Sequence, residues 1–364
     1  MDEKLCWLAF SVFPGVGPGR FAKLLAFFGN AQAAWEASHD DLLASGLGEK
    51  LALQLVDFRK SFDLDGYMQQ LTNAHVFYVT LEDPEYPELL KQIPNPPFVL
   101  YGKGNREILK RVQDDTYIAI VGTRKITQYG RQVTELLTGE LAKAGYVIVS
   151  GLALGVDAVA HETTLVNGGK TIAVLGCGVD CCTPHENQSL YNRILEKNGL
   201  IVSEYPLSNP PSKGSFLSRN RIIAGLSQGV LVTEGAADSG SLKTAADGFA
   251  YGRKVFAVPG PITSSLSEGP SVLIKKGATL ITNAQEVLSL FGSEGSSRRR
   301  SKRVKGETPE EQQIIDALVH ESLSFDQLIK QTQVVSSVMG SLLSVMEIKG
   351  VILRSENGLF SLPA

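Results

Sequence analysis

Cysteine and tryptophan are scarce, four and two in 364 residues. Three of the cysteines crowd into Gly176-Cys-Gly-Val-Asp-Cys-Cys-Thr183, and Cys6 stands alone near the start. The paired CxxC half-sites of a structural zinc site are missing, even with His185 close by, so no metal is expected. The thiols read as reduced groups filling small spaces. No apolar run reaches the roughly 18 residues that span a bilayer. Met-Asp-Glu-Lys-Leu-Cys-Trp-Leu also lacks the basic start and cleavable small-residue site of a signal peptide. A cytoplasmic protein without a membrane partner is expected. No GxGxxG follows the first core strand and no GxxxxGK[ST] occurs anywhere, which excludes the dinucleotide fingerprint and the P-loop. With a formal net charge of −3, the global basic signature of a nucleic-acid binder is absent, so any site for a polyanion must be local.

The most telling absence is itself local. From Tyr205 to Thr233 there is no acidic residue. Inside that window, Lys213 and Gly214 precede Phe216-Leu-Ser-Arg-Asn-Arg-Ile-Ile-Ala-Gly-Leu226. Lys213, Arg219 and Arg221 have no neighbouring carboxylate to neutralise them, and such a cluster attracts polyanions. The Phe216 ring adds a flat surface on which a base can stack. The competing reading pairs the arginines with carboxylates elsewhere in the fold. Arg219 and Arg221 are two apart and point to different faces of a helix. One of them is therefore expected to pair internally, with Glu234 as the candidate partner.

Hydrophobic content of 43% and charged content of 20% describe an ordinary globular chain, long enough for two or three domains. Residues 5–28 read as two short helices joined by Phe13-Pro-Gly-Val-Gly-Pro-Gly19, a turn that resembles a helix-hairpin-helix element. Its glycines could expose amides to a phosphate, or simply reverse the chain. His75-Val-Phe-Tyr-Val-Thr80 looks like a strand, followed by proline-punctuated loops. Apolar runs at 117–121, 146–149, 171–175, 200–203, 229–233 and 254–258 alternate with helical segments. Runs such as Tyr117-Ile-Ala-Ile-Val121 lack polar alternation, as strands buried on both faces do. That rhythm predicts an α/β fold with a doubly wound, mostly parallel sheet.

Beyond Gly292 the pattern stops. Residues 293–307 hold six cations and no apolar face, and read as a flexible basic linker. Thr308-Pro-Glu-Glu-Gln opens a capped helix. Two further helices are expected at about 324–331 and 335–349, and Ser355-Glu-Asn-Gly358 signals a hairpin. Three helices and a hairpin make a winged helix, but its recognition-helix candidate carries only Lys349 and Glu347. Protein contact suits it better than reading a major groove. The expected domains are a helical module over 1–62, an α/β core over 63–292, the linker over 293–307 and the winged helix over 308–364.

Ligands of such sheets collect where strands run into helices. Val121-Gly-Thr-Arg124, Ser150-Gly-Leu-Ala-Leu-Gly155, Gly176-Cys-Gly178 and Thr233-Glu-Gly-Ala-Ala-Asp-Ser-Gly-Ser241 all fall there, and glycine and serine let a phosphate approach backbone amides. Asp157 and His161 share a helix face, which admits acid–base chemistry. A cap or a structural hydrogen bond is the plainer role for them.

These segments in order, with Ala160-His161, Ala173-Val-Leu-Gly-Cys-Gly-Val-Asp180, Arg219-Asn-Arg221, Ser239-Gly-Ser-Leu242 and Val258-Pro-Gly260, resemble the DprA/Smf DNA-processing family over about residues 60–290. The helical front and the tail match the family's longer members more loosely. The resemblance implies an extended Rossmann-like core, with a SAM- or helix-hairpin-helix-like front. It also implies a protein without enzymatic activity or cofactor, which binds single-stranded DNA, forms a homodimer and loads RecA recombinase in natural transformation. The DNA-binding residues it implies are Gly122, Thr123, Arg124, Ser150, Gly151, Lys213, Phe216, Arg219, Asn220, Arg221, Ser239 and Gly240. Thr183, Leu217 and Ser271 depart from the family pattern, and the first two would loosen the walls around the pocket. The alternative is a nucleotide-processing or nucleotide-sensing enzyme on a related core.

Overall fold

The structure, a computed structural model, describes residues 2–110, 115–299 and 306–361, except 307, 319–321, 333, 350 and 355–357. The chain divides between Leu288 and Ser289 into two compact units.

The first unit opens with six helices, α1 (Glu3–Val12), α2 (Pro18–Phe28), α3 (Ala31–Glu36), α4 (His39–Ala44), α5 (Glu49–Ser61) and α6 (Leu64–Asn73). There follow β1 (Val76–Thr80), α7 (Glu88–Lys91), β2 (Val99–Gly104), α8 (Glu107–Lys110), β3 (Tyr117–Val121), α9 (Gln128–Lys143), β4 (Val147–Ser150) and α10 (Val156–Val166). The series continues with β5 (Thr171–Val174), α11 (Gln188–Glu196), β6 (Leu200–Ser203), α12 (Lys213–Leu226), β7 (Gly229–Val232), α13 (Gly240–Ala250), β8 (Lys254–Ala257), α14 (Glu268–Lys275) and β9 (Thr279–Leu280), and the division falls within the next helix, α15 (Ala284–Arg299).

The strands stand in the order β1-β2-β6-β5-β4-β3-β7-β8-β9. β1–β2 and β2–β6 are antiparallel, and every other pairing is parallel. Side chains alternate across a strand, and here the alternation sorts them between two cores. Ile172, Val174, Leu200 and Val202 join one apolar cluster with Tyr117, Ala119 and Val121. Ala173 and Ile201 join another, and that second cluster also contains Trp7, Phe10, Phe21, Leu24, Trp35 and Leu55 of the front helices. The helical front therefore shares its core with the sheet. The helices expected on either side of the Pro14–Pro18 turn are α1 and α2. The six expected core strands form within one residue of their expected ends.

The second unit contains α16 (Pro309–Leu318), α17 (Phe325–Gln331), α18 (Ser336–Ile348) and the antiparallel pair β10 (Leu353–Arg354) and β11 (Phe360–Ser361). Thr308 accepts the Glu311 N–H at 3.2 Å, as an N-cap does. Ile314, Leu318, Leu328, Met339, Leu343, Met346 and Phe360 close its core. Lys349 donates to the buried Glu311 at 3.4 Å, so the recognition-helix cation is engaged inside the unit. The segment expected as a linker begins inside α15, and 300–305 and 307 lie outside the described residues, as do 355–357 of the hairpin turn.

Candidate nucleic-acid interface

At the C-terminal edge of the parallel strands, the loops after β3, β4 and β7 and the starts of α12 and α13 enclose a cavity of about 400 Å³. Gly122, Thr123, Arg124, Phe216, Arg219, Asn220, Ser239 and Gly240 line it. A second cavity of about 140 Å³ is lined by Gly151, Leu154, Thr183 and Pro184. Arg124, Phe216 and Arg219 border both. The Arg124 guanidinium stands 5.7 Å from the centre of the Phe216 ring, a cation–π distance. Both members of this pair line both cavities.

The Arg124 loop is fixed by Glu234, at the end of β7. The Glu234 carbonyl accepts the Thr123 N–H at 2.7 Å, and its carboxylate accepts the Thr127 N–H at 2.9 Å and the Thr127 hydroxyl at 2.7 Å. Thr127 in turn caps α9 by accepting the Gly130 N–H at 3.0 Å. Gly122 permits the close passage: a Cβ there would lie 2.5 Å from Val156 Cγ2 and 2.6 Å from the Glu234 carbonyl oxygen. Arg124 and Lys125 are left exposed beside the cavity.

α12 supplies the opposite wall. Ser212 and Ser215 form a reciprocal capping box, at 3.0 and 2.9 Å. Its first turn leaves Lys213 and Gly214 exposed at the positive end of the helix dipole. Arg219 is only 4% exposed. Its Nη1 donates to the carbonyls of Gly151, at 2.6 Å, and Val174, and its Nε donates to Asn220 Oδ1 at 3.2 Å. Asn220 Nδ2 reaches the Gly240 carbonyl at 3.2 Å, tying α12 to the start of α13. Gly151 is required here, because a Cβ would overlap the Arg219 guanidinium.

Arg221 faces away from the cavity and pairs with Glu204 at the end of β6; their side chains are 14% and 9% exposed. The Ser218 hydroxyl also donates to Glu204, at 3.3 Å. The expectation that one arginine pairs with Glu234 is thus corrected. Glu234 serves Thr127, Arg221 pairs with Glu204, and Arg219 is spent on backbone carbonyls. Both arginines are engaged internally, because a buried guanidinium needs several acceptors and α12 meets β6 on one side and the β4 and β5 edge on the other.

Asp157 and His161 are structural. Asp157 accepts the Gly151 N–H at 3.0 Å and the Ala153 N–H at 3.4 Å; burial raises its pKa, against the Arg219 charge that lowers it. His161 Nδ1 contacts the Thr171 hydroxyl at 2.7 Å. That hydroxyl also donates to the Ile148 carbonyl at 2.7 Å, so His161 Nδ1 carries the proton. Burial, then the Arg219 charge, push the His161 pKa down to about 3, and the ring is neutral. Burial lowers the pKa of Arg219 itself, with Asp157 opposing and Arg124 adding to the effect.

Of the residues named from the sequence, Ser150 is buried beneath the site, where its hydroxyl donates to the Ile120 carbonyl at 2.7 Å. Lys213 lies at the α12 start outside the cavity lining, and Arg221 lies on the far face. Sequence reasoning gave no site role to Lys125 or Thr244 and named Asp238 and Ser241 only as part of the loop after β7; all four also line the larger cavity. Lys125 adjoins Arg124, and Ser241 and Thr244 occupy the first turn after Ser239-Gly240, so helical spacing could have found them. Among the described residues, no group of three or more His, Cys, Asp or Glu side chains could hold a metal ion. Also among them, no helix is long and apolar enough to cross a membrane.

The family model for DNA recombination-mediator protein A matches residues 77–292. The chain belongs to that family. The DprA winged helix domain matches 300–358. Protein Smf of Synechocystis is 38% identical over 293 residues, covering 80% of this chain and 73% of the relative. DNA processing protein DprA of Bacillus subtilis is 41% identical over 224 residues, covering 62% and 73%. Among solved structures, DprA of Streptococcus pneumoniae superposes with a TM-score of 0.68 at 33% identity, covering 79% of this chain and 98% of that one. DNA processing protein A of Helicobacter pylori, described for its single-stranded DNA binding mode, superposes at 0.54 and 36%, covering 61% and 98%.

Proposed function

We propose that the paired cavities seat a single DNA strand and that the chain is a single-stranded DNA-binding protein without catalytic activity. The observation that carries this reading is the Arg124–Phe216 pair, a cation over an aromatic ring on the wall shared by both cavities. Phosphates meet Arg124, Lys125 and Lys213 at the rim. A base stacks on Phe216, worth roughly 1–3 kcal/mol in comparable sites. The buried Arg219 adds positive potential from below. The likeness to the Helicobacter pylori protein, whose described property is binding single strands, supports the same reading. Asp157, His161 and Glu234 are engaged in internal hydrogen bonds, which supports binding over turnover.

In this reading the protein works in the cytoplasm, self-associates as a homodimer and loads RecA recombinase onto incoming DNA during natural transformation, as the family resemblance implies. Two grooves in one dimer strengthen binding through effective concentration. The test compares a labelled single strand with a duplex of the same length at two salt concentrations, beside sedimentation of the free protein. Preference for the single strand and a dimer at micromolar concentration are expected. Equal or tighter binding of duplex overturns the strand reading, and a monomer at all concentrations overturns self-association.

A further inference from the structure

A chain of hydroxyls runs from the loop between β6 and α12 into the front helices. The Leu207 N–H donates to the Tyr67 hydroxyl of α6 at 3.1 Å. Tyr67 is hydrogen-bonded to Tyr101 of β2, and the Tyr101 hydroxyl lies 2.5 Å from Ser11 Oγ of α1. Ser11 in turn donates to the Leu8 carbonyl at 2.7 Å. That last bond uses the one proton of Ser11, so Tyr101 donates to Ser11 and Tyr67 donates to Tyr101. Each hydroxyl thus gives one bond and accepts one. Tyr67 is 7% exposed and Tyr101 is fully buried. Burial raises the pKa of both, so each phenol keeps the proton it donates. In such a core the bonds polarise one another, and a member left without its partner is costly.

On its other side the loop is held by the segment after β5. Asp180 accepts the Ser208 N–H at 3.0 Å, and the Gly178 N–H donates to the Asn209 carbonyl at 3.0 Å. That segment adjoins the strand site: a Cβ on Gly176 would lie 3.0 Å from Phe216 Cδ1, and Thr183 and Pro184 line the smaller cavity. The loop ends at Ser212, the cap of α12 that precedes Lys213 and Phe216. Toward the front helices it is less filled. A cavity of about 390 Å³ is lined by Pro14, Gly15 and Gly17 of the α1–α2 turn and by Tyr205, Pro206 and Asn209 of the loop. Beside that cavity, the partly buried Leu207 side chain and the bond to Tyr67 hold the loop to the front helices.

We infer that Tyr67 is a positioning residue for strand binding: through its hydroxyl the front helices set the place of the loop that leads into α12, and with it Lys213 and Phe216. The inference deepens the strand-binding reading and rests on it for the effect on affinity, while the anchoring itself rests on the hydroxyl chain alone.

The experiment compares Tyr67→Phe and Tyr101→Phe in the full chain by urea unfolding, oligothymidylate affinity and amide hydrogen exchange across the loop. Each substitution keeps the ring and removes one buried hydroxyl, so both are expected to lower the urea midpoint. Only Tyr67→Phe leaves the Leu207 N–H without its acceptor. It is expected to speed exchange from Leu207 to Gly214 and to weaken oligothymidylate binding about fivefold, the factor for one ordinary hydrogen bond. Tyr101→Phe leaves Leu207 on Tyr67 and should bind the strand within about twofold of the parent. Parental affinity in Tyr67→Phe, or unchanged exchange across its loop, overturns the inference and makes the residue merely structural. An equal loss of affinity in Tyr101→Phe also overturns it, because general loosening of the front helices then explains both. If the parent chain does not bind oligothymidylate, the strand reading falls and exchange decides the anchoring. It stands if Tyr67→Phe alone speeds exchange in the loop, and falls if both variants or neither do.

Discussion

Replacing Arg221 with methionine separates two roles that the Arg219-Asn-Arg221 triplet invites. If Arg221 touched DNA, its loss would remove one phosphate contact and flatten the log–log salt dependence by about 0.7 for single strands. Stability would hardly change, since exposed charges are worth about 0–1 kcal/mol. The geometry says otherwise. Arg221 and Glu204 are 14% and 9% exposed, and the Ser218 hydroxyl joins them on the same carboxylate. Removing one partner of so buried a pair leaves the other charge uncompensated, which costs about 3–5 kcal/mol. Replacing both, as Arg221→Met with Glu204→Leu, removes both charges together and should restore most of the loss.

The assay is a double-variant cycle on the urea midpoint, run beside single-strand binding at several salt concentrations. Arg221→Met is expected to lower the midpoint strongly and to weaken DNA binding through a loosened α12, with the salt slope unchanged. Three exposed cations, Arg124, Lys125 and Lys213, set that slope near −2, at about −0.7 each. Lys213→Ala should therefore flatten it by about 0.7 with stability intact. Arg221→Met with an unmoved urea midpoint and a slope flattened by 0.7 would refute the positioning role and return Arg221 to the DNA.

Phe216→Ala should weaken single-strand binding by roughly 1–3 kcal/mol and leave the salt slope unchanged; undiminished affinity in a filter or anisotropy assay would make the ring mere packing. Gly151→Ala forces the buried Arg219 guanidinium off the Gly151 and Val174 carbonyls, and a large drop in thermal midpoint together with weaker DNA binding is expected. Folding holds the His161 pKa at about 3 against the ordinary 6.5, so the unfolded chain takes up that proton first as pH falls. Its contribution is full above about pH 6.5 and is lost progressively toward pH 3, by about 1 kcal/mol between pH 7 and 5.5; His161→Gln should make urea unfolding less pH-dependent over that window, and an equally steep dependence would contradict it.

The parallel core was legible because strands buried on both faces leave continuous apolar runs, and Tyr117–Val121 is such a run. β2 was not, since Pro94-Asn-Pro-Pro97 reads as loop and Val99–Gly104 ends in Gly-Lys-Gly. What makes it a strand is pairing with β6, at Tyr101↔Ser203 through Gly104↔Leu200, which no local pattern announces. The integration of the front helices was hidden for the same reason: Trp7, Phe10 and Phe21 look like the core of a small module until Tyr101, Ala173 and Ile201 join them. In the site, loop residues such as Gly122, Ser239 and Gly240 were readable from their place after strands. The fates of the arginines were not, because internal pairing depends on which carboxylate or carbonyl the fold delivers.

That distinction gives the acid-free window its meaning. Between Tyr205 and Thr233 no carboxylate exists to neutralise the cations, yet the residues just outside it are Glu204 and Glu234. Each lies just past the C-terminal end of a strand, β6 or β7, and anchors one element of the site from behind: Glu204 holds α12 through Ser218 and Arg221, and Glu234 holds the Arg124 loop through Thr127. Their charge is consumed there by an arginine or by N–H and O–H donors. Exposed cations can thus persist in a chain of net charge −3, since Glu204 and Glu234 anchor the elements that carry them without lining the larger cavity. Exchanging Glu234 for glutamine tests this, because the amide retains one acceptor but loses the second. The Arg124 loop should loosen, and single-strand affinity should fall even though a negative charge beside a polyanion site has been removed. A pure charge argument predicts the opposite sign. Tighter binding by Glu234→Gln would therefore show that proximity of charge, and not the anchoring of the loop, governs the site.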